Sequence, residues 1–593
     1  MDIEERKVKK IKRIIGMTLV SSVLLINSVP AQAQELLPSG VENAKIGEQI
    51  EDFVEEHAET TVGMSVSVFD EKNIFYTGYF GYGDKENAIA MEAETVVEWG
   101  SATKLLVWVS VMQLWEQGKL DLEADVKEYL PEGYLDFLTY DAPITMRHLM
   151  NHQAGFQEVY ADLFVKDKED ILPLEEALLA HKPAQIFEPG TVTAYSNWGC
   201  ALAGLIVERV SGMSFADYVH THIFQPLGME CSALKPDLSD NPWVQEKRKE
   251  LQCYTGAGNL IPDCFYYITW YPAGMCTSTL EDFVTFAQTL LKSDCPLFEK
   301  ESTRKEMFTP TAYLGDREIP SNYHGFWVLP YGVEVVGHGG NTAGCSSYLA
   351  LHLESGIGMV VMTNQANESV YNGEMLELIF GKYETEEWFA EGRKDWEGIF
   401  RPARTMRKGP FKLMSLTYML GEPERETYWA IGNDGVEKVC YPYGDWVDVP
   451  TWEFVLELGL VILWVIAVLF SLISLPAKVI VKLVRIFRKK KQPVPLSWWS
   501  SLAAVAQVML IALIVLTVSL VSSYAIAKSY MWVFWLVALL MCLMVGMVIY
   551  GVRKLSTVEL SKKCKFYNGI TIAMLAVTVV NILYWNLFMW WYV

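Results

Sequence analysis

The chain has 593 residues, of which 51% are hydrophobic and 20% are charged, and its net charge is −22. This length exceeds one ordinary domain. Lys and Arg outnumber Asp and Glu at both ends, so the negative charge is concentrated in residues 34–450. An acidic segment argues against nucleic acid as a partner, because the phosphate backbone would repel it. The acidity is better explained as keeping a globular domain soluble.

Residues 1–33 have the pattern of a secretory signal peptide. Six basic residues between Arg6 and Arg13 precede the short apolar core Ile14 to Ile26, and Ala31-Gln32-Ala33 is a small-x-small cleavage site. The apolar core is shorter than the roughly 20 residues that a membrane span needs. An uncleaved anchor helix is the alternative. In both cases the next segment leaves the cytoplasm.

The cysteines agree with export. Eight of the ten lie between residues 34 and 450, where an oxidising compartment permits disulfides, and Cys253 and Cys264 are close enough in sequence to pair. No C-x-x-C spacing occurs. We therefore predict no zinc site and no other metal or cofactor.

The alternation of residue types in residues 34–379 predicts an α+β domain. Strands are expected at Val62–Val68, Asn73–Phe80, Val333–Val336, Ser346–Leu353 and Ile357–Asn364. Apolar helices are expected at Leu105–Gln117, Trp198–Val210 and Leu280–Leu291. This order predicts one antiparallel sheet made from both ends of the segment, with a helical region inserted. Residues 380–450, rich in Trp, Tyr and charge, are assigned to a membrane-proximal extension without a fold prediction.

Residues 451–593 predict an all-α, four-helix transmembrane anchor. The apolar runs are Phe454–Leu475, Trp498–Ser523, Tyr530–Gly551 and Asn568–Trp591, each long enough to span a bilayer. The first loop has seven basic residues, the third has five and the second has only Lys528, so the positive-inside rule places the first and third in the cytoplasm. The acidic domain then lies outside.

The aromatic and polar residues of this anchor also have predicted positions. Trp498, Trp499, Trp590 and Trp591 are expected at the membrane interfaces. No charged residue lies deep in a span, which argues against a transporter. Gln507, Asn581 and Asn586 are expected to bond between helices.

Ser101-Ala102-Thr103-Lys104 places a serine and a lysine three residues apart at the start of an apolar helix. Residues at this spacing share a helix face, so Lys104 can reach the Ser101 hydroxyl. A lysine whose pKa is lowered by burial can take the proton and activate the serine as a nucleophile. The spacing also arises often by chance, so it identifies nothing alone.

Two later motifs supply further polar groups. Tyr195-Ser196-Asn197 offers a phenol for proton transfer and an amide for a substrate carbonyl or for Lys104, and the alternative is a helix cap beside a packed tyrosine. His338-Gly339-Gly340-Asn341 lies on or just before a late strand, where glycines allow a substrate backbone to come close. The backbone N–H groups of Ser101 and Asn341 would form an oxyanion hole. A plain β-turn is the alternative.

The order of these motifs resembles that of the class C serine β-lactamases, the D-alanyl-D-alanine carboxypeptidases and their relatives among esterases and D-amino-acid peptidases. The resemblance covers roughly residues 45 to 375 and is carried by Trp99–Lys104, Ile144–Gly155, Tyr195–Asn197, Pro272–Met275 and Gly337–Gly340. It implies a β-lactamase/DD-peptidase-like sheet with an inserted helical region. His148 and His152 match a turn motif of these proteins that looks structural.

The resemblance also implies roles for the matched residues. Ser101 would be acylated, with Lys104 and Tyr195 as general bases. Asn197 would bind the substrate amide, and His338-Gly339-Gly340 would take the place of a Lys-Thr-Gly motif, with the oxyanion held at Ser101 and Asn341. A mostly neutral histidine anchors a carboxylate less well than lysine, so a peptidase or esterase is favoured over a β-lactamase.

The predicted function is that of a membrane-anchored, extracytoplasmic serine hydrolase of the bacterial cell surface or periplasm. Its expected substrates are D-amino-acid peptides, such as a cell-wall stem peptide or a lipopeptide, or else esters. Some relatives with such bundles look like membrane-bound peptidases, which makes amphiphilic substrates plausible. A penicillin-binding sensor and an inactive binding module are the alternatives. Cytoplasmic loops of about 20 and 15 residues are too short for a folded signalling domain.

Overall fold

The computed structural model describes residues 36–314, 319–383, 398–420, 428–431, 437–440, 443–488 and 496–592. The signal-peptide prediction for residues 1–33 lies outside these ranges, as do the basic residues 489–491 of the first predicted membrane loop.

A nine-stranded antiparallel sheet forms the centre of the α+β domain predicted for residues 34–379, called the hydrolase domain after the activity that the resemblance implies. Its strands are β1 (Gly63–Asp70), β2 (Ile74–Asp84), β3 (Ile89–Ala90), β4 (Ala312–Tyr313), β5 (Pro320–Tyr323), β6 (Phe326–Pro330), β7 (Glu334–Asn341), β8 (Ser346–His352) and β9 (Ile357–Thr363). Their order in the sheet is β4-β5-β6-β7-β8-β9-β1-β2-β3. Strand β1 lies antiparallel to β9, with Met64 opposite Thr363 and Asp70 opposite Ile357. The first and last parts of the domain therefore share one sheet, which confirms the predicted α+β class.

Helices cover both faces of this sheet. Helix α1 (Ile46–Glu56) packs on one face, and its Ile46, Ile50 and Val54 join Met64, Val66 and Val68 of β1 in one apolar core. Helix α4 (Leu280–Leu291) packs against β1 and β9 on the other face. The other two long helices of the domain come between α1 and α4 in the chain. They are α2 (Lys104–Glu116) and α3 (Asn197–Ser211).

Helix α2 is apolar on all sides, the pattern of a helix in the middle of a core. It packs against α3, and eleven of its thirteen residues are buried. Shorter helices surround the pair at Met146–Met150, Leu174–Ala180, Phe215–Val219, Pro242–Lys247 and Glu301–Met307. A disulfide joins Cys253 and Cys264, the pair that the sequence spacing allowed.

The described part of the extension is a second, five-stranded sheet. Its strands are β10 (Ile399–Pro402), β11 (Met419–Leu420), β12 (Tyr428–Ile431), β13 (Glu437–Cys440) and β14 (Trp446–Asp448), in the order β11-β10-β14-β13-β12. Asp445 joins this sheet to the hydrolase domain: its carboxylate accepts hydrogen bonds from Lys438 Nζ at 3.0 Å and from the backbone N–H of Thr193 at 2.8 Å. The extension is thereby held beside the segment that leads into Tyr195.

Four helices of residues 451–592 are long and apolar enough to cross a membrane, as predicted. They are α5 (Thr451–Phe487), α6 (Ser497–Ser522), α7 (Ala527–Thr557) and α8 (Lys562–Tyr584). The bent pair Asn197–Ser211 and Phe215–Leu227 is also apolar enough, but its residues are buried in the hydrolase core.

The bounds of the bundle differ from the prediction at two places. Helix α5 continues through Pro476, so Lys478, Lys482 and Arg485 lie on its last turns and not in a loop. Helix α8 ends at Tyr584 because Asn586 takes a left-handed conformation, with φ of 57°, and Trp590 and Trp591 belong to a short 3-10 turn.

Trp499 is buried near the start of α6, and its indole N–H donates to the carbonyl of Met547 at 3.1 Å, so it packs between helices. The prediction that Asn581 bonds between helices is wrong. Asn581 bonds within its own helix, donating to Val577 O and accepting from Trp585 Nε1, because residues four apart lie on one face. Gln507 does bond between helices, accepting from Ser471 Oγ at 2.9 Å.

Candidate active site

A cavity of about 550 Å³ opens where the N-terminal ends of α2 and α3 meet the end of β7. It is lined by six of the eight predicted site residues: Ser101, Tyr195, Asn197, His338, Gly339 and Asn341. Lys104 lies buried directly beneath Ser101, and Gly340 lies on β7 between two lining residues. The fold therefore brings together residues that lie up to 240 positions apart in the chain.

Lys104 forms the floor of the site. Ser101 belongs to the 3-10 turn Gly100–Thr103 that leads directly into α2, and Lys104 Nζ lies 3.0 Å from its Oγ. The same ammonium donates to Asn197 Oδ1 at 2.8 Å and to the carbonyl of Ala273 at 2.6 Å. Burial of this side chain lowers the pKa of Lys104 to about 8. A useful fraction of the amine is thus neutral near physiological pH, as a general base requires.

Tyr195 stands above Lys104, with its ring centroid 4.9 Å from Nζ. Burial raises the pKa of Tyr195 well above its ordinary value, although a hydrogen bond with Ser101 and the nearby Arg404 oppose the shift. The phenol is protonated at neutral pH. In that state it can give a proton to a leaving group that departs from the Ser101 side of the cavity.

Asn197 is positioned by the cap of α3. The hydroxyl of Ser196 accepts from the backbone N–H of Gly199 at 3.0 Å, which starts the helix at Asn197. His152 accepts from the backbone N–H of Ser196 at 3.1 Å and stacks on the Tyr195 ring at 4.3 Å. His148 caps the start of its own helix with Thr145. Both histidines of the turn motif therefore act as scaffold in the folded chain.

His338 faces the cavity from β7. Its Nδ1 donates to the carbonyl of Gly339 at 2.5 Å, and its Nε2 is buried without a hydrogen-bond partner among the described residues. Burial, helped by the positive charge of Lys104, lowers the pKa of His338 to about 3. The imidazole is neutral at physiological pH and offers a substrate a hydrogen bond, not a charge.

Glycines allow β7 to touch the serine turn. A Cβ on Gly340 would lie 1.8 Å from the carbonyl oxygen of Trp99, and one on Gly100, whose φ is +53°, would lie 2.5 Å from the backbone nitrogen of Asn341. Ser347 fixes the contact by donating its hydroxyl to Trp99 O at 2.7 Å. The backbones of the Ser101 turn and of Asn341 are thereby brought into direct contact, and both residues line the cavity.

The family model described as Beta-lactamase matches residues 50–382, more than half of the chain. The chain belongs to the β-lactamase family. It is therefore a serine hydrolase, in agreement with the serine and lysine at the floor of its cavity.

Known proteins resemble this β-lactamase-family hydrolase over about half of its length. Penicillin-binding protein 4* of Bacillus subtilis (strain 168) is 26% identical over 350 residues, which cover 54% of this chain and 73% of the relative. Protein flp of Staphylococcus aureus (strain MRSA252) is 22% identical over 314 residues, 52% of this chain and 60% of the relative.

Two solved structures are similar at low identity. The octameric penicillin-binding protein homologue from Pyrococcus abyssi is 21% identical with a TM-score of 0.48, covering 69% of this chain and 100% of that one. The D-amino acid amidase from Ochrobactrum anthropi SV3 is 23% identical with a TM-score of 0.47, covering 57% and 97%.

The cavity of this β-lactamase-family hydrolase also contains residues that the sequence did not single out. They include Tyr160, Trp327, Arg404, Tyr443 and Tyr524. Arg404 and Tyr443 come from the extension, and Tyr524 comes from the loop between α6 and α7. No motif or spacing marks Arg404, Tyr443 and Tyr524, because their proximity to Ser101 depends on the packing of the extension and the bundle against the hydrolase domain.

Proposed function

We propose that this protein is a peptidase that cleaves D-amino-acid-containing peptides through an acyl-enzyme on Ser101. The observation that carries the proposal is the fully buried Lys104 with Nζ 3.0 Å from Ser101 Oγ, at the floor of an open cavity. The division into a signal peptide (1–33), a hydrolase domain (34–379), an extension (380–450) and a membrane anchor (451–593) is part of the proposal.

The geometry supports a two-stage reaction. Neutral Lys104 takes the Ser101 proton as Oγ attacks the substrate carbonyl, and the N–H groups of Ser101 and Asn341 stabilise the oxyanion. The C–N bond then breaks as Tyr195 gives its proton to the departing amine and takes in return the proton held by Lys104, which leaves an ester on Ser101 and a neutral Lys104. Water hydrolyses this ester and restores the serine. Asn197 and His338 orient the substrate through neutral hydrogen bonds.

A peptide is favoured over a β-lactam as the substrate because the site lacks the lysine of the Lys-Thr-Gly motif. Neutral His338 stands in its place, so that position provides no charge for the carboxylate of a β-lactam. The penicillin-binding names of the relatives support peptides with D-amino acids, the class that the resemblance also implies.

A second cavity supports amphiphilic substrates. It has a volume of about 340 Å³, is lined mainly by apolar atoms, and lies between the hydrolase domain, the extension and the 521–525 end of the bundle. It shares Tyr160, Phe164 and Tyr524 with the first cavity. A substrate with its reacting bond at Ser101 can extend an apolar group toward this end of the bundle.

Replacing the two floor residues tests the proposal. Ser101→Ala should abolish both turnover and the adduct with a fluorophosphonate probe while leaving the thermal unfolding midpoint unchanged, because only the nucleophile is lost. Lys104→Ala should slow acylation by about 100-fold or more, since an unassisted serine is a poor nucleophile. Intact-mass spectrometry follows the adduct, and a panel of D- and L-amino-acid amides and esters measures turnover.

Ser110→Ala is the matched control, because Ser110 is a buried serine on the same helix, bonded to Leu106 O. It should keep both adduct and turnover. An adduct that persists on Ser101→Ala would refute the nucleophile. A wild-type protein that forms the adduct yet hydrolyses only L-amino-acid amides or only esters would refute the substrate class.

A further inference from the structure

Arg404 is the one charged residue among the described residues that line the active-site cavity. It lies beyond residue 382, where the match to the β-lactamase family ends, and follows β10 of the extension. The chain is strongly acidic overall, yet the cavity lining contains no carboxylate within the described ranges. Arg404 is therefore the one side chain with a full charge in the described lining, above the buried Lys104.

One edge of this guanidinium is held in place. Arg404 Nε donates to Glu158 Oε2 at 2.6 Å, and the guanidinium carbon lies 4.8 Å from the Tyr195 ring centroid and 5.8 Å from that of Tyr160. No hydrogen bond from its two Nη atoms occurs within the described part of the chain. The planar group is thus oriented by one bond and two rings, with N–H donors left for a ligand.

Arg401, three residues earlier, shows what a purely structural arginine of this segment looks like. Its side chain is 5% exposed and forms ion pairs with Glu453 and Glu457. The Arg404 side chain is 38% exposed, whereas its partner Glu158 is 2% exposed. Pairing with the buried Glu158 carboxylate would not by itself require the Arg404 side chain to be exposed. Arg404 is both accessible and part of the cavity lining.

We propose that Arg404 binds a carboxylate of the substrate, so that the site prefers a peptide with a free carboxylate near the scissile bond over the matching neutral amide. This inference rests on the proposed peptidase function. A guanidinium binds a carboxylate through two parallel hydrogen bonds, and the flanking rings of Tyr160 and Tyr195 shield the pair from water. Arg404 would supply the anion contact that His338 does not.

The test measures binding without turnover. In the Ser101→Ala background, isothermal titration compares N-acetyl-D-alanyl-D-alanine with its C-terminal carboxamide. We expect the acid to bind about 10-fold more tightly or better, since hydrogen bonds to charged groups are among the stronger ones. Adding Arg404→Gln should weaken binding of the acid by about 10- to 100-fold and leave binding of the amide nearly unchanged.

Two further variants make the result specific. Arg404→Lys keeps the charge and the pairing with Glu158 but loses the two-pronged geometry, so it should retain an intermediate preference and remain informative if Arg404→Gln does not fold. Arg407→Gln removes a neighbouring arginine that packs over Phe187 and does not line the cavity, and it should change neither affinity.

Equal affinities for acid and amide, no binding of the acid, or an acid preference that survives Arg404→Gln would each overturn the inference. An acid preference that depends on Arg404, in a protein whose wild type hydrolyses neither peptide, would uphold the inference and overturn the proposed peptidase function. The two failures are therefore distinguishable.

Discussion

At the scale of single residues, the burial of Lys104 affects both the stability of the fold and the reactivity of the site. Burying an ammonium is unfavourable, and the site compensates with three oxygen acceptors on Ser101, Asn197 and Ala273. The residual penalty lowers the pKa to about 8 from an ordinary 10.5. Below pH 8 the buried charge of Lys104 therefore lowers the free energy of unfolding. This loss of stability disappears as pH rises from 8 toward 10.5, where the unfolded chain also loses the proton.

The same pKa predicts the pH dependence of catalysis. The value of kcat/KM should rise with pH through an inflection near 8, because Lys104 must be neutral to accept the Ser101 proton. His338, with a pKa of about 3, and His152, whose pKa burial lowers well below its ordinary value, should add no inflection between pH 5 and 7. Steady-state rates from pH 5 to 9.5 measure the profile.

The residual activity of Lys104→Ala is the control for this profile, since it should lack the inflection near 8. A wild-type profile that is flat between pH 6 and 9 would remove Lys104 from the role of base.

At the scale of elements, the site depends on the close approach of β7 to the turn Gly100–Thr103. The turn belongs to the start of α2, while β7 comes more than 200 residues later, and backbone meets backbone at Gly340 and Gly100. A side chain at either position would separate the two elements. The separation would move the N–H groups of Ser101 and Asn341 apart.

Gly340→Ala should therefore reduce kcat by about 100-fold or more, the usual cost of losing an oxyanion donor, because its Cβ would meet the Trp99 carbonyl at 1.8 Å. Gly256→Ala is the control, since its nearest contact, the carbonyl oxygen of Ala366, is at 3.8 Å and the turn can accept a methyl group. Initial rates and thermal unfolding of both variants give the comparison. Full activity of Gly340→Ala would show that this contact does not position the donors.

At the scale of the whole molecule, one end of the helical bundle is fastened to the hydrolase domain. The backbone N–H of Ala527 donates to Asp162 Oδ1 at 2.6 Å, and Tyr524 packs on Phe164 and Tyr266. At the same end, Glu457 accepts from Arg401 and Tyr584. The basic residues that end α5 and α7 lie at the other ends of those helices.

This arrangement predicts the orientation in a bacterial membrane. Lys528, at the docked end, should face outside, and Lys562, at the basic end, should face the cytoplasm. A membrane-impermeant maleimide should label Lys528→Cys in intact cells and Lys562→Cys only after permeabilisation. The unsubstituted chain sets the background from its own cysteines. The reverse pattern would place the hydrolase domain in the cytoplasm.

Local sequence determined the parts of this protein that depend on residues close together in the chain. The spacing of Ser101 and Lys104, the strand alternation around β1 and the apolar runs of the bundle are read from neighbours, because helix and strand periodicity act over a few residues. The order of the predicted strands and helices was enough to predict the α+β class, since strands at both ends of a segment with helices between them favour one antiparallel sheet. The eight predicted site residues, from Ser101 to Asn341, lie around one cavity.

Only the tertiary structure decided the remaining features. Contacts between segments far apart in sequence produce three of these features. They are the extension sheet, the burial of Trp499 and the position of Arg404 beside Tyr195. Arg404 and Glu158 are separated by 246 positions, and no local pattern distinguishes Arg404 from Arg401. The charge that faces the substrate was decided by how the extension packs on the domain, because packing determines which arginine is buried in an ion pair and which remains accessible to a ligand.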